Sequence, residues 1–109
     1  MYTERDMPTL TQRFDDDYKT ALKAQDRLRV DTLRLIKAAI QRVTIDTRKE
    51  TLDDQEIIQI LGQQAKQRRE TLEAARQGGR QDIADQASAE LKLITAYLPQ
   101  QLSAEALNA

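Results

Sequence analysis

The chain has no cysteine, no histidine and no tryptophan. Without cysteine there is no disulfide, no thiolate nucleophile and no sulfur ligand for a metal, which fits a reducing compartment. Without histidine the commonest general base and the commonest metal ligand are gone. Ser-His-Asp and Cys-His constellations, H-E-x-x-H and the Glu-x-x-His of di-metal bundles are therefore all excluded. The two serines, Ser88 and Ser103, have no base beside them, and neither a P-loop nor G-x-G-x-x-G occurs. No catalytic residue, metal site or cofactor is assigned. Glycine is confined to Gly62, Gly78 and Gly79, and proline to Pro8 and Pro99. So few turn residues argue against an all-β chain. Aromatics are 4% of residues, so a core has to come from Leu, Ile and Ala, which suits helices. No apolar run is long enough to span a membrane and no signal-peptide core is visible, so the expected setting is the cytoplasm. Lys and Arg number 17 against 18 Asp and Glu, a net charge of −1. Any RNA binding then has to come from a local patch.

What is present is helical periodicity over 109 residues, enough for one domain. The organising stretch is Asp53 to Leu98, a long helical hairpin. Asp53 with Glu56 forms an acidic capping box, and Leu52 and Ile57 sit at hydrophobic-staple positions. Ile57, Ile58, Leu61, Ala65, Leu72 and Ala75 make one stripe, flanked by the i,i+4 pairs Lys66–Glu70 and Arg69–Glu73. Gly78 and Gly79 end this helix. The returning helix runs from about Arg80 to Leu98 on Ile83, Ala87, Leu91, Ile94 and Leu98, and Pro99 stops it. Arg68 falls where an apolar residue is due. Folding the hairpin about the glycines brings Arg68, or Arg69, opposite Glu90, which predicts a structural ion pair across the seam. The alternative is that both arginines face a partner's carboxylate or phosphate.

Residues 1–8 are polar and read as a flexible start. Thr9 and Gln12 form a capping box for a first helix to about Ala24, with Leu10, Phe14, Tyr18, Ala21 and Leu22 on its apolar arc. The run Asp15-Asp16-Asp17 reads as a solvated face, because three consecutive residues point three ways on a helix. Asp26 caps a second helix to about Arg48. Its apolar arc is Leu28, Thr32, Leu35, Ile36, Ala39, Ile40 and Val43, wide enough for more than one neighbour. The opposite face carries Arg27, Arg34, Lys37, Arg42 and Arg48, candidate contacts to RNA or to a protein partner; a plain solvated face fits the same residues. Arg29, at the edge of the apolar arc, is placed to reach a carboxylate of the first helix. Ser103, with Leu102 and Leu107 at staple positions, begins a fifth helix that the chain cuts short. The expected architecture is all-α: a four-helix bundle-like domain over residues 9–98, then a linker and truncated start of a further domain over 99–109.

Three runs resemble the GatB/YqeY-type family: Arg27 to Ile40, Lys66 to Glu70 followed by Gly79 to Asp82, and Tyr97 to Leu102. Their order and spacing agree from about Leu10 onward. YqeY-like members have an N-terminal helical subdomain and a smaller helical C-terminal domain similar to the tail of the GatB component of a tRNA-dependent amidotransferase. That enzyme uses glutamine as amido-nitrogen donor, and its tail helps hold the tRNA. The resemblance implies an accessory role in tRNA-dependent amidation, with tRNA, an amidotransferase or an aminoacyl-tRNA synthetase as partner. It implies a glutamine-dependent carbon–nitrogen ligase label by similarity only. A helical protein-interaction module that touches no nucleic acid is the alternative. A basic stripe free of intramolecular carboxylates would favour RNA, and an exposed apolar patch would favour a protein.

Overall fold

The computed structural model describes residues 9–99, and the expectations for residues 1–8 and for the fifth helix at Ser103 lie outside them. Among the described residues the chain is all-α: α1 (Leu10–Ala24), α2 (Arg27–Thr47), α3 (Asp54–Gln77) and α4 (Gln81–Thr95). It divides into two compact units, Met1–Ile57 and Ile58–Ala109, with α3 running through the boundary.

In the first unit the caps are local and complete. Thr9 accepts from the Gln12 backbone N–H at 3.2 Å, and Gln12 accepts from the Thr9 backbone N–H at 2.9 Å. The Leu10 N–H is taken up by Asp54 Oδ1 at 3.1 Å, so a carboxylate from the first turn of α3 also serves the start of α1. Asp53 and Glu56 close the same box on α3, at 2.8 Å and 3.1 Å. The ends of α1 and α2 share one device. Gln25 and Arg48 adopt left-handed backbone (φ 56° and 57°), which lets the next amide reach back: Asp26 N–H to Ala21 O at 2.9 Å and Lys49 N–H to Thr44 O at 3.2 Å. Neither residue is glycine, so each end carries a small steric cost.

The core of this unit is Leu10, Phe14, Ala21, Val30, Leu33, Ile36, Ala39, Leu52 and Ile57. Thr32 joins it at 1% exposure because its hydroxyl donates to the Leu28 carbonyl at 2.8 Å. Two expected core positions are corrected here. Leu22 and Leu35 are 47% and 41% exposed, and Val30 and Leu33 take the inward places on α2. One residue step is 100° on a helix, so a short rotation exchanges neighbours on a wide arc.

The second unit is the α3–α4 hairpin. Gly79 (φ 71°) makes the turn, with Arg80 N–H bonded to Ala75 O at 2.8 Å. Ile60, Leu61, Ala65, Ala75, Ala84, Ala87 and Ile94 are buried. Ala84 replaces the expected Ile83, which stays 38% exposed. Helix α4 ends at Thr95, earlier than Leu98, and Tyr97 and Leu98 close it with short i→i+3 turns. The pairs Lys66–Glu70 and Arg69–Glu73 do not form; Glu73 instead accepts from Gln77 Nε2 at 3.3 Å.

Candidate functional site

The residues that could meet a partner lie on the α1–α2 hairpin, and the aromatic ring of Tyr18 is their centre. Arg34 Nε donates to the Tyr18 hydroxyl at 3.0 Å, with its guanidinium carbon 5.8 Å from the ring centroid. Lys37 Nζ lies 4.8 Å from the same centroid and 3.1 Å from Asp15 Oδ1. Both distances to the ring are within cation–π range. The hydrogen bond to Tyr18 pushes the Arg34 pKa up. Shallow grooves open on either side of this cluster. One of about 310 Å³ is lined by Leu22, Gln25, Arg27, Val30, Asp31 and Arg34. The other, about 270 Å³, has Phe14, Ile40 and Thr44 in its walls.

The five candidate cations of α2 are thus not equivalent. Lys37 has a carboxylate partner, and Arg27 has a looser one in Asp31 at 3.8 Å. Arg34 is held by Tyr18. Arg42 and Arg48 are exposed and have no ion pair among the described residues, but Arg48 is displaced into the left-handed end of the helix. Arg29 is paired within its own helix. Its backbone N–H and its Nε bind the two oxygens of Asp26, each at 3.2 Å, because the capping carboxylate sits one turn away on the same helix. Sequence reasoning placed Tyr18 in the core and Asp15 on a solvated face. The available signal was the i,i+3 spacing of Asp15 and Tyr18, which puts both on one side of α1.

In the second unit Arg68 Nη1 donates to Glu90 Oε1 at 3.3 Å, with side chains 20% and 10% exposed. Gln86 Nε2 donates weakly to the other Glu90 oxygen at 3.4 Å. Arg68 Nε is buried with no acceptor, so this pair is incompletely satisfied. Arg69 is exposed and joins no ion pair among the described residues. The arrangement fixes the hairpin and offers no nucleophile with an adjacent base. Among the described residues no group of acidic side chains is placed to share a metal ion, and no helix is long and apolar enough to cross a membrane.

A family model described as "Yqey-like protein" matches residues 11–109. The chain is also 33% identical over 82 residues to "Altered inheritance of mitochondria protein 41, mitochondrial" of Eremothecium gossypii. The match takes in 75% of this chain and 45% of that protein, so the chain spans a little under half the length of this relative.

Proposed function

The chain belongs to the YqeY-like family, and from that premise we propose that it is an accessory binding protein whose partner is a protein of tRNA-dependent amidation. The partner class, an amidotransferase or an aminoacyl-tRNA synthetase, follows from the resemblance to GatB/YqeY-type proteins. The role is binding rather than catalysis, and the setting is the cytoplasm, although the Eremothecium relative is named as mitochondrial. The observation that carries a protein over an RNA partner is the Lys37–Asp15 pair at 3.1 Å. A stripe built for phosphates leaves its cations free to replace counterions. Here the central lysine is already matched by a carboxylate, and Arg34 is tied to Tyr18. The groove beside them has an apolar wall in Leu22, which is 47% exposed. A surface of mixed charge around exposed leucine suits a protein interface.

The test is biolayer interferometry of the chain against a purified tRNA-dependent amidotransferase and against glutamyl- and aspartyl-tRNA synthetases. Binding to one of them, weakened at least about tenfold by Leu22→Asp, is the expected result. Absence of binding to all of them would overturn the proposal. Binding that requires added tRNA would replace it with the RNA reading.

A further inference from the structure

Helix α2 carries a second apolar ribbon, turned away from its core. Leu28, Leu35, Ala38 and Ile45 recur at the alternating seven- and three-residue steps of a helix-packing seam, completed by Asp31 and Arg42. Leu33, Ile36 and Ala39 are buried on the inward side. Leu35 and Ile45 are 41% and 66% exposed, Ala38 is exposed and Leu28 is half-buried. Nothing among the described residues explains an isoleucine left two-thirds in water near the end of this ribbon.

The ribbon is complementary to itself when reversed. Laid antiparallel against a second copy about a twofold axis between Leu35 and Ala38, Leu28 meets Ile45 and Leu35 meets the small Ala38. Asp31 meets Arg42. Every apolar position faces an apolar one and every charge faces its opposite, as an isologous interface requires. A parallel pairing would set Asp31 against Asp31 and Arg42 against Arg42. The charges are available: Asp31 keeps 46% of its side chain exposed, and its contact with Arg27 is long at 3.8 Å. Arg42 has no ion pair among the described residues.

We propose that the chain forms an antiparallel homodimer through the Leu28–Ile45 face of α2. The contact is one helix pair roughly 26 Å long at about 1.5 Å per residue. That is small for a permanent interface, so the dimer forms with a Kd on the order of micromolar. Only Asp31 of the seam is shared with the groove of the proposed function, so the two can fail separately.

The test is sedimentation velocity of the full chain from about 1 to 300 µM, a span set around that micromolar Kd. Wild type is expected to move from monomer to dimer. Asp31→Arg and Arg42→Asp should each weaken dimerisation about tenfold or more, since each variant places two like-charge contacts in the seam. Mixing those two variants should restore it, because both contacts of the mixed dimer are again opposite in sign. Orientation is read from the cysteine-free background. Leu28→Cys with Ile45→Cys should give an intermolecular disulfide on mild oxidation, and Leu28→Cys alone should not. A monomer at 300 µM, no recovery on mixing, or crosslinking by Leu28→Cys alone would each overturn the proposal. Far-UV circular dichroism confirms that these surface variants remain helical.

Discussion

Removing Arg68 isolates a carboxylate that has no other strong partner. Glu90 has a side chain 10% exposed, accepts from Arg68 Nη1 at 3.3 Å and otherwise has only the 3.4 Å contact from Gln86. Breaking a buried pair from one side costs roughly 3–5 kcal/mol, and the 20% exposure of the Arg68 side chain lowers this to about 2–4 kcal/mol for Arg68→Met. In a domain of this size that corresponds to roughly 10–20 °C in Tm. Glu90→Leu should cost less, about 1–2 kcal/mol, because the long arginine stem can carry its charge to water and buried glutamate cannot. The double variant Arg68→Met/Glu90→Leu is expected within about 1 kcal/mol of wild type, or above it. It removes the buried Arg68 Nε that has no acceptor, a defect worth about 1–3 kcal/mol. Urea unfolding followed by circular dichroism measures all three on one scale. An Arg68→Met variant within about 0.5 kcal/mol of wild type, or a double variant as unstable as Arg68→Met, would refute this reasoning.

Three further outcomes follow from the backbone and the caps. Gln25→Gly should raise stability by about 0.5–1 kcal/mol in the same urea experiment, because φ 56° carries a Cβ penalty that glycine lacks. Gly79→Ala should lower it by about 1–2 kcal/mol, since Gly79 has φ 71° and no crowding atom, leaving strain as the whole cost. Glu56 is held below its ordinary pKa of 4.5, first by its bond to Lys49 at 2.6 Å and then by the Asp53 N–H. A folded-state pKa below the unfolded one contributes stability that is present above the unfolded value and lost as pH falls through the folded one. Glu56→Gln should therefore flatten the stability–pH curve below pH 4.5 and leave its slope near neutral pH unchanged.

The parts of this molecule that depend on three or four consecutive residues are written openly in the sequence. Thr9 with Gln12, Asp26, Asp53 with Glu56, and Gly79 mark helix boundaries because each acts on backbone groups one turn away. The stops near Ala24 and Arg48 were placed to within a residue, but the left-handed backbone of Gln25 and Arg48 that makes them was hidden, since nothing in a glutamine or an arginine announces it. Side-chain direction was legible only to within one residue step. Large Ile83 and Leu35 looked like core, while Ala84 and Leu33 took the inward places, because tertiary packing and not side-chain size sets the rotation of each helix. The Arg68–Glu90 contact was deducible because counting from one turn fixes the register of both helices. The Lys37–Asp15–Tyr18 cluster was not, because it depends on how α1 lies against α2. On that cluster rests our proposal of a protein partner rather than RNA.

The most direct test of that proposal is a titration of the chain with bulk tRNA at low and near-physiological salt. No micromolar binding is expected near physiological salt, and little change on replacing Arg34 or Lys37, whose charges are already engaged by Tyr18 and Asp15. Micromolar affinity with a log–log salt slope of several units, lost on Arg34→Ala or Lys37→Ala, would contradict a protein partner and return the α2 face to RNA.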